Sequence, residues 1–188
     1  MAHNPDRELP PTSYALLGLL TLGDGLTGYE LKQRADKTLR FYWVSPAMSQ
    51  VYSELERLHG RGLVSRPEKD GAGRGTAYSL TDRGRAELDA WLARSPAGFP
   101  VLKHPVALRL LLGALQDPAA LDDLLASHLE ALDRERAALE EVRTSLHGAD
   151  APGENFRYPS LVADWGLSYL GHERVIVEDL RRRIADGS

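Results

Sequence analysis

Gln50 and Arg57 have the most to offer a ligand in this sequence. With Ala47 and Ser53 they fall along one outward edge of a short amphipathic segment, and Ser49 lies beside them. Glutamine pairs bidentately with adenine, arginine with guanine or phosphate, and small neighbours let a helix approach a groove floor. That chemistry is recognition, not bond making. The six histidines, His3, His59, His104, His128, His147 and His172, are scattered without metalloprotease spacing, and neither GxSxG nor a P-loop occurs. The acid pairs Asp122–Asp123 and Glu140–Glu141 point different ways on helices and read as solvated faces. Gly71, Gly73 and Gly75 link strands rather than open a helix, which makes a poor phosphate cradle. With no cysteine in the chain, disulfides, thiolate metal sites and cysteine nucleophiles are excluded. We expect no catalytic residue, no metal, no cofactor and no enzyme.

The edge needs a helix to carry it. Ser45 reads as its N-cap and Pro46 as its first residue, Val51, Tyr52, Leu55 and Leu58 as its buried stripe, and Gly60 and Gly62 as its end. Upstream, Thr12 is the expected cap of a first helix, SYALLGLLTLG, apolar on nearly every side and therefore central. Thr27 and Glu30 stand in capping-box register for a second helix running to Arg40, with Tyr29, Lys32 and Arg34 near its start. Phe41, Tyr42 and Trp43 read as core between helices. Downstream the period changes: residues 63–69 and 76–80 have strand composition and are joined by DGAGRG, so a hairpin is predicted, with Pro67 marking an edge. Arg74 stands at its tip, where a long cation reaches a phosphate or the minor groove. Thr81 or Asp82 caps a fourth helix with Leu88, Trp91 and Leu92 inward, and Ser95, Pro96, Gly98 and Pro100 mark a boundary.

The chain has 188 residues, 43% of them hydrophobic and 27% charged, with a formal net charge of -4. That charge argues against coating nucleic acid by bulk electrostatics, so any DNA binding must come from a local arrangement. Residues 1–95 hold 13 basic against 12 acidic side chains and the remainder 10 against 15, so the acidic half is not the DNA half. No charged-then-apolar leader opens the chain, and Tyr14 to Leu22 is too short for a membrane span. A cytoplasmic protein without membrane contact is expected.

Three helices followed by a hairpin make a winged helix-turn-helix. LLGLLTLGDGLTGYELK, SQVYSELERLHGRGLV and YSLTDRGRAEL, in that order, resemble the PadR family of transcriptional regulators. The form around Ser49, with Trp43 upstream, is similar to the branch that includes virulence-gene activators. The resemblance implies base or backbone contacts from Ser45, Ser49, Gln50, Ser53 and Arg57, backbone contacts from Thr27, Tyr29 and Lys32, and a wing contact near Arg74. Tyr52 matches a family tyrosine, and its stripe position favours packing with the hydroxyl left for a phosphate. Glu54 opposes phosphate and reads as an ion-pair partner of Arg57.

Residues 101–188 read as helical. Residues 105–115 form an apolar helix, and Asp117 with Pro118 starts a longer one whose stripe runs through Leu121, Leu125, Leu129, Leu132, Leu139, Val142 and Leu146. At 1.5 Å per residue it makes a rod of roughly 45 Å, which wants a partner. In a final helix Leu161, Trp165, Tyr169, His172, Ile176, Leu180 and Ile184 share one face. The expected fold is therefore mainly α: a DNA-binding domain over residues 1–95 with a two-stranded wing, then an α-helical dimerisation domain over 101–188. The resemblance implies a homodimer that sets two recognition helices in successive major grooves of a pseudo-palindrome. Phe156, Tyr158, Trp165, Tyr169 and His172 form an aromatic group that could take a small-molecule effector, though such stripes are more often core. The expected function is a repressor binding double-stranded DNA; the rival is a winged-helix protein-interaction adaptor that has lost DNA.

Overall fold

The structure is a computed structural model, and it describes residues 9–23, 25–43, 45–67, 75–98 and 103–186. It divides into two compact units, residues 1–98 and 99–188.

In the first unit, α1 (Pro11–Leu20), α2 (Gly28–Thr38), α3 (Met48–Gly60) and α4 (Asp82–Arg94) surround one apolar core, and a 3-10 turn, Leu39–Phe41, extends α2. Helix α1 is the central element: Leu16 and Leu17 are fully buried in it, and it packs against α2, α3 and α4. Its cap is Pro10, not Thr12; with Pro11 at the first position the helix starts one residue before the threonine, which falls inside it. The predicted box on α2 is present, Glu30 N donating to Thr27 Oγ1 at 3.2 Å and Thr27 N to Glu30 Oε2 at 2.8 Å. Helix α3 starts later than predicted. Ala47 is its N-cap, so Pro46 precedes the helix and Ser45 turns its hydroxyl to Asp36 instead. Val51, Leu55 and Leu58 are fully buried, and Gly62 at φ 69° takes the left-handed conformation that turns the chain out of the helix.

The sheet has three strands where two were expected: β1 (Leu26–Thr27), β2 (Val64–Ser65) and β3 (Ala77–Leu80), in the order β1-β3-β2, all antiparallel. Leu26 pairs with Tyr78 and Thr27 with Ala77, so Thr27 ends a strand and caps a helix at once. Thr81 caps α4 as predicted, accepting from Gly84 N at 3.0 Å. Gly84 is required there: a Cβ would stand 2.0 Å from the Leu63 carbonyl oxygen. Two inward assignments are corrected. Leu92 is 65% exposed because α1 meets α4 through Leu88 and through Trp91, stacked on Tyr14 at 4.6 Å. Trp43 is 53% exposed, its neighbours Phe41 and Tyr42 being half-buried.

The second unit contains α5 (Pro105–Leu111), a 3-10 turn (Gly113–Leu115), α6 (Pro118–Ser145) and α7 (Arg157–Asp186). The first predicted helix thus breaks at Leu112. Asp117 and Pro118 start α6 as expected, Asp117 accepting from Ala119 N at 3.3 Å. Helices α6 and α7 pair through Leu125, Leu129, Leu132 and Val177, with Val106 of α5 joining the cluster. The predicted face of α7 is only partly inward. Ser160, Ala163, Gly166 and Val177 are its buried residues, whereas Leu161, Trp165, Tyr169 and Ile176 are exposed, since small residues give the closest approach to α6. No helix among the described residues is long and apolar enough to cross a membrane.

Candidate nucleic-acid interface

Helix α3 has two sides with different tasks. Ser49, Gln50, Tyr52 and Ser53 are exposed on the outer one. Gln50 Oε1 accepts from Ala47 N at 2.9 Å, closing the first turn, which leaves its amide nitrogen outward. Ser53 donates to the Gln50 carbonyl at 3.1 Å. Tyr52, 45% exposed, lays its ring on Gly28, where a Cβ would come within 2.5 Å of the ring. The start of α2 is thereby seated on α3, and the tyrosine hydroxyl stays near the surface.

On the flank, Arg57 Nε donates to Glu54 Oε2 at 2.9 Å, and its Nη2 donates to Ser13 Oγ at 2.6 Å. Ser13, fully buried in α1, donates in turn to Glu54. Burial pushes the Glu54 carboxyl up, but the hydrogen bonds from Arg57 and Ser13 outweigh it and hold the group below the usual carboxylate range. The pair Glu54–Arg57 predicted from sequence is present, and it makes Arg57 a brace between α3 and α1. Lys32 and Ser45 are engaged in the same way: both hydrogen-bond to Asp36, lowering its pKa, the lysine contributing more. A third tie joins α3 to the wing, where Glu56 Oε1 accepts from Tyr78 Oη at 2.8 Å and from Arg66 Nη1 at 2.5 Å.

Of the predicted contacts, then, Ser49, Gln50, Tyr52 and Ser53 share one exposed surface on α3, and Tyr29 is 56% exposed at the start of α2. Thr27 is committed to its capping box, and Lys32, Ser45 and Arg57 to internal pairs. Arg74 lies outside the described residues. Sequence reasoning passed over Ser13, Asp36 and Glu56, which position α2 and α3. For Ser13 there was a signal, a lone hydroxyl in an apolar helix that needs a partner when buried.

The first unit also holds a largely apolar groove lined by Pro10, Tyr14, Trp43, Leu88, Trp91 and Leu92 among others. In the second unit Trp165 and Tyr169 stack at 6.1 Å and His172 Nδ1 meets the Ser168 carbonyl at 2.8 Å, all three side chains on exposed surface; Tyr158 is 71% exposed and Phe156 half-buried.

Two family models match the sequence: the transcriptional regulator PadR-like family over residues 16–90, and the virulence activator alpha C-terminal family over residues 102–184. The negative transcriptional regulator PadR of Bacillus subtilis is 28% identical over 90% of this chain and 87% of its own length. Its crystal structure in complex with operator DNA superposes with a TM-score of 0.79 at 24% identity, covering 93% of this chain and 99% of that one. Its complex with p-coumaric acid gives a TM-score of 0.75 at 24% identity, covering 92% and 98%. The likeness to both structures is one of fold.

Proposed function

Given that the chain belongs to the PadR-like family of transcriptional regulators, a class without enzymatic activity, we propose that it is a repressor that binds a pseudo-palindromic operator as a homodimer. The observation that carries the reading is the outer face of α3. A short helix whose Ser49, Gln50 and Ser53 are exposed while Arg57, Glu54 and Glu56 tie its flanks to α1 and the wing is stiff, and its outer surface is small and polar. Such a helix enters a major groove without unfolding its support. Gln50 reads a base, Ser49 and Ser53 line the approach, and Tyr52 and Tyr29 meet phosphate. Thr27, Lys32, Ser45 and Arg57 fix the geometry first and touch DNA only at their remaining polar edges. Arg74 extends the contact from the wing.

The dimer is proposed from the second unit. Leu161, Trp165, Tyr169 and Ile176 expose a continuous apolar stripe on α7, and Leu108, Leu111, Leu112 and Leu115 do the same around α5. Patches of that kind mark an association surface, and a second copy is the partner a palindromic site requires. B. subtilis PadR binds operator DNA and has been crystallised with p-coumaric acid. We extend this to release by a small aromatic acid, placed in the groove beside Tyr14 and Trp91 rather than on Phe156, Tyr158, Trp165, Tyr169 and His172, because a ligand needs concavity.

The test is fluorescence anisotropy with the inverted repeat ahead of the protein's own gene and a scrambled duplex, over a range of salt. The log of affinity should fall linearly with log salt for both. Gln50→Ala should weaken the repeat by roughly 2- to 13-fold, the 0.5–1.5 kcal/mol of one hydrogen bond from its amide nitrogen, and leave the scrambled duplex unchanged. Equal affinity for the two duplexes at every salt concentration would overturn the reading in favour of an adaptor.

A further inference from the structure

The second unit buries most of a carboxylate beside imidazoles rather than beside lysine or arginine. Glu173 of α7 has a side chain 15% exposed, and among the described residues no lysine or arginine pairs with it. Its partners are two imidazoles: His104 Nε2 lies 2.8 Å from Oε1 and His128 Nε2 lies 3.4 Å from the same oxygen. The histidine side chains are 15% and 22% exposed, and their rings meet edge to face at 5.2 Å. A carboxylate removed from water is costly unless a positive charge balances it. The adjacent Arg174 is engaged elsewhere, with Asp133 and Glu178.

From this juxtaposition of His104, His128 and Glu173 we infer a binding site for a divalent transition-metal ion of the zinc type. The three ligand atoms lie within 4.8 Å of one another. Zinc bonds of about 2.0–2.1 Å in tetrahedral geometry place neighbouring ligand atoms roughly 3.3 Å apart. The contact between His128 and Glu173 already matches that edge, and the one between His104 and Glu173 opens by about half an ångström. Two imidazoles and one carboxylate suit zinc rather than calcium or magnesium, which prefer oxygen donors, and they leave a fourth position for water. The ligands come from three places, the cap of α5, the middle of α6 and α7, so the ion fastens α5 to the helix pair.

The chemistry at His104 supplies a signature. Its Nδ1 accepts from Ala107 N at 3.2 Å and so caps α5. In that state the ring proton sits on Nε2, the atom that must bind the ion. Metal binding moves the proton to Nδ1, which then faces an amide donor, and the cap bond is lost. Uptake of the ion is therefore coupled to the first turn of α5.

The experiment uses the full chain, stripped with a chelator, dialysed and titrated with Zn²⁺ by calorimetry. One ion per chain is expected, with a raised melting temperature and a displaced Ala107 amide resonance. His128→Ala and Glu173→Gln should each weaken binding at least tenfold. His147→Ala, an exposed histidine elsewhere, should not. Should Glu173→Gln fail to fold, His128→Ala carries the same reading, because its contact is the longer one. Undiminished Zn²⁺ binding in His128→Ala, absence of saturable binding, or binding that leaves the Ala107 resonance in place would overturn the site.

Discussion

The two units expose opposite kinds of surface. The first closes its leucines inside: Leu16, Leu17, Leu31, Leu55 and Leu58 are fully buried, and the outer side of α3 presents serines and a glutamine. The second pairs α6 with α7 over a modest core and leaves Leu111, Leu115, Trp165 and Ile176 in the open. Apolar area is worth about 25 cal/mol per Å² when removed from water; in the first unit the exposed large apolar side chains are Tyr29, Trp43, Tyr52 and Leu92, whereas the second exposes a longer set along α5 and α7 and has more to gain by association. That excess is what the proposed dimer would cover.

That contrast can be broken most severely at α7. The double variant Trp165→Asp, Ile176→Asp should give a monomer by analytical ultracentrifugation and, by losing the linked second half-site, weaken operator binding by about 10²- to 10⁴-fold. A folded variant that still dimerises would show that the apolar stripe is not the interface. The next largest effect is in the first unit. Gly84→Ala puts a methyl group against the Leu63 carbonyl and should cost about 3 kcal/mol, seen as a fall in melting temperature of roughly 15 °C for a unit this size. Gln50→Ala sharpens the comparison from the other side: losing its bond to Ala47 N should cost about 1 kcal/mol, a fall in melting temperature of roughly 4–8 °C and smaller than that of Gly84→Ala, while reducing operator binding as described. The effector assignment separates the two units as well: Trp91→Ala should abolish any thermal shift produced by p-coumaric acid, and Trp165→Ala should preserve it. The smallest effect is acid sensitivity of the α1–α3 brace. The folded pKa of Glu54 lies below its ordinary value, near 4.3 in an unfolded chain. Its contribution is therefore complete above about pH 4.3 and is lost as pH falls through the lower folded value. Denaturant melts should show that loss, and Glu54→Gln should remove about 1 kcal/mol of it at neutral pH.

What could be read in the sequence was local. Thr27 with Glu30 and Asp117 with Pro118 mark helix starts within three residues, and both are present; of the two candidate caps of α4, Thr81 and Asp82, the threonine is the cap. Of the predicted stripe Val51, Tyr52, Leu55 and Leu58, the three aliphatic residues are fully buried, where helical period and burial coincide, and Tyr52 is 45% exposed with its ring against Gly28. Ser45 misled because a serine before a proline is a good cap on propensity alone, and Asp36, nine residues away, offered it a better partner. Strand β1 is two residues long and shows no alternation to detect. Ser13 with Glu54 and Arg57, or His104 with His128 and Glu173, are separated by tens of residues and meet only once the helices pack. On α7 the pattern predicted an apolar face and left its partner open, since periodicity reports a stripe without saying which molecule covers it; Leu180 and Ile184 of that face pack on the core, and Leu161, Trp165, Tyr169 and Ile176 are exposed.

Thr27 belongs at once to the strand that pairs with β3 and to the cap that starts α2. One residue thus anchors both the strand that joins the wing and the first turn of the helix packed on α3. Ala77→Pro, at the residue paired with Thr27, should therefore disturb the wing strand and the start of α2 together.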